Sequence, residues 1–225
     1  MGSPDTSLLV PADRVERWVQ NFRGRHGTTA LTVLDAGLQG AASDGSTFRM
    51  ELPFATGYAG LPDAEAFTTA ARTAPPADWG VLLVRKGGFA VARLAGTRTS
   101  ASKVGQRHVQ GRTKAGGQSQ QRFARRRDNQ ARQAYEAAAE HAVRLLGDLS
   151  GPVVTGGDAG ALEAVLDDPR LRRLEVADRR LPVPDPRRAV LEQAVADACS
   201  VVVEVHNSDG PSWPDRPGAD DAAGR

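Results

Sequence analysis

The chain has 225 residues and a single cysteine, Cys199, which excludes an internal disulfide and any cysteine-based zinc site. That cysteine lies in the apolar stretch 194–205 and reads as a small buried hydrophobe, not a nucleophile. The four histidines, His26, His108, His141 and His206, show no metal-ligand spacing, so neither a metal nor another cofactor is expected. Long apolar runs are also missing. The longest aliphatic ones are Val81-Leu82-Leu83-Val84 and Val201-Val202-Val203, against the ~18 residues a membrane helix needs. No charged-then-apolar leader opens the sequence. Its start, Met1-Gly2-Ser3-Pro4-Asp5-Thr6, matches the loose myristoylation pattern by chance, since nothing basic follows as a second anchor. A cytoplasmic protein without a membrane partner is expected. Lysine is scarce too: Lys86, Lys103 and Lys114 are the only lysines among 29 basic residues.

Apolar residues make up 40% and charged residues 25%, which excludes collagen, coiled-coil rods and wholesale disorder. The length fits one large domain or two small ones. Net charge is only +2, yet it is unevenly spread. Residues 85–132 hold 13 Lys/Arg and one acid, Asp128, a local charge of +12, while the remainder carries −10. Such a segment repels itself unless a polyanion is near, which points to nucleic acid.

Along the chain, residues 1–10 read as a flexible N-terminus. A small α+β domain follows over 11–78. It opens with an amphipathic helix over 11–25, with Val15, Trp18, Val19 and Phe22 at helical spacing, stopped by Gly27. Strands are predicted at 31–34 and 48–52 with a turn near Asp44-Gly45, and Asp63 caps a short helix to Arg72. The run 74–78, Ala-Pro-Pro-Ala-Asp, is a linker. A second domain is placed at 79–206. It begins with a meander of three antiparallel strands at 80–85, 89–94 and 97–109. A polar stretch at 110–117 and a long helix from 118 to about 147 come next. Then follow a strand at 152–155, a helix capped by Asp158, a strand at 174–177, and a helix opened by Asp185-Pro186 that runs to Cys199 or beyond. Residues 207–225 read as a disordered tail. The fold class is α/β (α+β), one mixed sheet covered by helices behind the small first domain.

The segment 108–123 has no aliphatic anchor between Val109 and Phe123, so it cannot bury itself and should project and move. Gly116-Gly117 frees its backbone to approach another surface. On the helix behind it, Phe123, Ala131, Tyr135, Ala138, Ala142, Leu145 and Leu146 share one broad face suited to a sheet. Arg122, Arg125, Arg126, Asn129 and Arg132 fall within roughly 120° on the opposite side. Arginines beside a helix N-terminus oppose the macrodipole, so the stripe argues for a phosphate partner.

Gly116-Gly117-Gln118, followed by Ser119 and Arg122-Phe123-Ala124-Arg125, resembles the catalytic-domain signature of the archaeal and eukaryotic class-1 peptide release factors. The likeness runs from about 79 to 205 and includes the three-strand lead-in, the long helix and the Val153-Val154-Thr155-Gly156-Gly157 strand end. It is most similar to the Vms-like release-factor (VLRF) domain in its bacterial, actinobacterial-type peptidyl-tRNA hydrolase branch. Residues 1–78 do not resemble a codon-reading domain, which favours rescue of stalled chains over termination. The resemblance implies a ribonuclease-H-like fold and hydrolysis of the ester between nascent peptide and tRNA on the large ribosomal subunit, by a monomer. It implies that Gln118 holds the attacking water and that Gly116 and Gly117 shape the tip. Arg112, Lys114, Arg122, Arg125 and Arg126, with Arg132, Lys103 and Arg107, would contact RNA.

Other features carry less. Gly156-Gly157-Asp158-Ala159-Gly160 lacks the spacing of a phosphate loop and reads as a strand exit plus helix cap. Arg170, Arg172 and Arg173 are interleaved with acids and read as a solvated face. No Asp/Glu cluster in the basic window offers ligands for a two-metal nuclease. Two alternatives stay open: a tRNA 3′-end endonuclease of the same family, and a non-catalytic ribosome- or RNA-binding module.

Overall fold

The computed structural model describes the backbone of residues 6–106 and 117–208, and their side chains except at 106 and 117–131. It holds two five-stranded sheets with helices packed on them. The strands are β1 (Thr6–Val10), β2 (Thr29–Leu34), β3 (Gly37–Ala42), β4 (Thr47–Glu51), β5 (Trp79–Arg85), β6 (Gly88–Ala95), β7 (Arg98–Gln106), β8 (Val153–Gly157), β9 (Val176–Leu181) and β10 (Val201–His206). The helices are α1 (Val15–His26), α2 (Ala64–Thr73), α3 (Gly117–Leu146), α4 (Ala159–Leu166) and α5 (Arg188–Ala198).

The first sheet has the order β1-β10-β4-β3-β2, antiparallel throughout. Its core joins Val15, Val19 and Phe22 of α1 to Leu38, Phe48, Met50, Val201 and Val203, so the apolar spacing of α1 marks its buried side. Gly27, at φ +89°, ends that helix. Asp63 accepts hydrogen bonds from the Glu65 and Ala66 amides and caps α2 as expected.

The second sheet has the order β7-β6-β5-β8-β9. β5, β8 and β9 run parallel, and β6 is antiparallel to both of its neighbours. Helices α3 and α4 cover one face and α5 the other. Central β5 is therefore buried on both faces, Val81 and Leu83 toward α5 and Leu82 and Val84 toward α3. A mixed sheet flanked by helices is the arrangement expected for this part of the chain.

Several expectations are corrected. Residues 6–10 are not a flexible start: they form β1, whose backbone groups pair with β10. The strand β10, placed with 79–206, lies between β1 and β4 in the first sheet. Strand β3 was not predicted, because its sequence Gly-Leu-Gln-Gly-Ala-Ala has little strand propensity. Gly40 is needed there, since a Cβ would enter the Phe48 ring. Strand β9 begins at Val176, not 174. Helix α5 begins at Arg188 and is not capped by Asp185, whose carboxylate faces Arg85 instead. Of the predicted tail, 209–225 lie outside the described residues, while Ser208 bonds to Ser46.

Candidate functional site

The Gly116-Gly117-Gln118 motif follows β7 in the sequence, and α3 begins within it. Strand β5 ends at Arg85, β6 begins at Gly88, and β7 ends at Gln106 opposite Gly88. The chain between β7 and α3 therefore leaves from the edge where β5 ends. Helix α3 finishes at the other edge, where Leu146 packs on Gly80 at the start of β5. It thus runs back along β5 and is held by Ala134, Ala138, Ala139, Ala142 and Leu146, all buried. Gly117 stands 17 residues before Ala134, about 25 Å along the helix axis. The helix opens at Gly117, one residue earlier than expected. Gly117, Gln118, Arg122, Arg125 and Arg126 have their backbone in α3, but their side chains are outside the described residues. Gly116, Arg107, Arg112 and Lys114 lie outside the described residues altogether.

Two of the candidate RNA contacts are described with side chains, Lys103 and Arg132, and both are exposed. Lys103 is the register partner of Val91, whose side chain lies in the core beneath α3, so Lys103 is on the α3 face of β7. The fold adds two residues that the charge window missed, since it closed at 132. His141 stacks on Phe89 with centroids 5.3 Å apart. Arg144 Nη2 donates to His141 Nδ1 at 2.8 Å, which leaves Nε2 of the neutral ring as a donor. Burial, then the nearby Arg144 and Lys103 charges, hold His141 below its usual pKa.

Ion pairs fix the root of α3. Arg93 binds Asp78 through Nε and Nη2 at 2.8 and 3.0 Å, and Asp148 through Nη1 at 2.6 Å. Asp78 also accepts from the amide and hydroxyl of Ser150, and these bonds, Arg93 first, pull its carboxyl down to about 2. Arg170, exposed as the solvated-face reading expects, ties Glu140 of α3 at 2.6 Å to Asp168 at 2.8 Å. The Arg170 guanidinium and amide lower the Asp168 carboxyl to about 2.

At the opposite edge, Asp158 does not cap α4 with its side chain. Its carboxylate takes Arg85 Nε at 3.3 Å and the Lys86 amide at 3.4 Å, while Arg85 Nη1 donates to the Val183 carbonyl at 3.1 Å. Three loops are thereby tied together at the end of the sheet where β5 stops. Gly156-Gly157 is the strand exit that was read from the sequence, with Gly157 at φ +107°. Cys199 is packed on the α5-side core, and burial raises its thiol to about 11. Among the described residues, no three His, Cys, Asp or Glu side chains are grouped as a metal site. None of the described helices is long and apolar enough to cross a membrane.

No curated protein matches this chain. Among solved structures it is similar to an archaeal translation termination factor, aRF1, at 14% identity and a TM-score of 0.39. That alignment covers 85% of this chain and 63% of the other, so the chain spans less than two thirds of that protein's length. The family described as Actinobacteria/chloroflexi VLRF1 release factor matches residues 77–204, from just before β5 into β10 and across the whole of α3. The chain belongs to that release-factor family.

Proposed function

We propose that this protein acts on the large ribosomal subunit, as a monomer, and hydrolyses the ester that joins a nascent peptide to tRNA. The observation that carries the reading is the position of Gly116-Gly117-Gln118 at the head of a 30-residue helix, inside the +12 window, in a chain of a release-factor family. Water attacks the ester carbonyl carbon, the bond to the tRNA ribose oxygen breaks, and the proton passes to that leaving oxygen. The ester is already activated, so positioning water and polarising the carbonyl suffice without a strong base. Gln118 orients the water through its backbone N–H and side chain, and the two glycines let the backbone come close. Arg112, Lys114, Arg122, Arg125 and Arg126 neutralise phosphates around the tip, with Lys103, Arg107 and Arg132 behind them. Binding in a ribosomal cavity fits a helix that begins about 25 Å along its axis before Ala134, a residue buried against the sheet.

The test is incubation with stalled large subunits that carry peptidyl-tRNA. Free peptide and intact tRNA are expected, and Gln118→Ala should slow release by at least about 10²-fold, the scale of losing one positioned donor. Release as fast as the parent's would remove Gln118 from the mechanism. A shortened tRNA on a sequencing gel would mean endonuclease chemistry, and binding without turnover would mean a non-catalytic module.

A further inference from the structure

Arg144 has two acidic neighbours four residues away, Glu140 on the same helix, a natural partner there, and Asp148 just beyond its end. Both are taken. Arg170 holds Glu140 at 2.6 Å and Arg93 holds Asp148 at 2.6 Å. Arg144 turns instead to His141, and Lys103 stands on the same face of the sheet, where its charge acts on that imidazole. No described carboxylate forms an ion pair with Lys103 or Arg144. The groups around the ring are Phe89 of β6, Lys103 of β7, and Glu140 and Arg144 of α3.

With Nδ1 occupied and the Glu140 carboxylate held by Arg170, Lys103, His141 and Arg144 offer donors: an ammonium, an imidazole Nε2–H and the remaining guanidinium N–H groups. Two cations converging on one ring repel each other unless an anion joins them, and a phosphate has only acceptors to offer. Position also matters. Residues 126 and 144 are 18 apart, five turns of an α-helix, so they share one azimuth about 27 Å apart. The arginine-bearing side of α3 therefore continues to its root, where β7 adds Lys103.

We propose that Lys103, His141 and Arg144 form a phosphate subsite for RNA, the root end of a backbone track along α3 from the release-factor signature. The proposal rests on the reading above that the partner is RNA. It places a sugar–phosphate strand along the helix, with the subsite setting its register far from the reacting ester.

The test is fluorescence anisotropy of the full chain with a labelled acceptor-arm RNA hairpin between about 50 and 200 mM salt. K103Q/R144Q should bind more weakly and flatten the log–log salt slope by about 1.5 to 2, the share of two phosphate contacts. Q118A should keep the parent slope. In the parent, the NMR titration midpoint of His141 should rise when the hairpin is added, and in K103Q/R144Q it should not respond. A parent slope retained by K103Q/R144Q, at unchanged melting temperature, overturns the subsite alone. Absence of salt-dependent RNA affinity in the parent overturns the RNA reading as well. Polyglutamate displacing the hairpin as well as unlabelled RNA does would show a general anion patch and overturn the proposal.

Discussion

Gly157 shows how much one residue can decide at the strand exit. Its φ of +107° is strained for any side chain, and a Cβ there would collide with the Val84 carbonyl oxygen. Gly157→Ala is expected to lower unfolding free energy by about 3 kcal/mol, seen as a lower urea midpoint at unchanged slope. Gly160→Ala, where a Cβ meets nothing within 4 Å, should leave the midpoint in place or raise it. Asp78 acts through charge. Its folded pKa of about 2 lies below the ordinary 3.8, so it contributes stability above about pH 4 that is lost as pH falls through about 2. Asp78→Asn should therefore flatten the acid limb of stability between those values. Its cost at neutral pH is about 1 kcal/mol, kept small because the Asp78 and Arg93 side chains remain partly open to solvent. Chemical denaturation from pH 2 to pH 7 checks both statements.

At the scale of the element, α3 depends on small side chains along its sheet face. Ala138 and Ala142 are fully buried, which lets the helix axis approach β5 and β6 closely. Ala142→Leu is expected to cost about 2 kcal/mol by overpacking, whereas Ala137→Leu on the exposed side should be nearly neutral; thermal melts of the two separate them. This helix was legible because its alanines, Tyr135 and the final leucines recur at helical spacing over many turns. The strands β5 and β6 were legible as apolar runs joined by Lys86-Gly87. Strand β3 was not, because two glycines hide a strand whose register is set by Phe48 across the sheet. The start of α5 was misread for a related reason. Asp185-Pro186 has the local form of a cap, yet Arg85, about 100 residues earlier, lies within 4.0 Å of that carboxylate. The candidate site was legible at its tip as a motif. At its root it was not, since only the sheet sets His141, stacked on Phe89, and Lys103 on one face.

For the whole molecule, the sequence order hides how the two sheets share one chain. Strand β10 returns after the second sheet and takes a central place in the first, with β1 on one side and β4 on the other. A local signal for this existed. Val201, Val203 and Val205 are buried while Val202, Glu204 and His206 are half-buried, the alternation of a sheet covered on one face, unlike β5. The first sheet therefore cannot close until β10 is in place. A chain ending at Ser200 should lose three buried valines and two strand ladders, a larger loss than a small sheet's marginal stability tolerates. Hydrogen exchange should then show β1 to β4, α1 and α2 unprotected, with β5 to β9 still slow. If β2 to β4 stayed protected in that truncated chain, the first sheet would be self-sufficient and β10 only an appendage. If protection fell across both sheets together, the Phe54–Trp79 ring contact, centroids 4.8 Å apart, would be the place to seek the coupling. A selective loss would instead show that the sheet from which α3 extends stands without its partner, and an assay of the proposed peptide release with the truncated chain would then measure what the first sheet contributes to it.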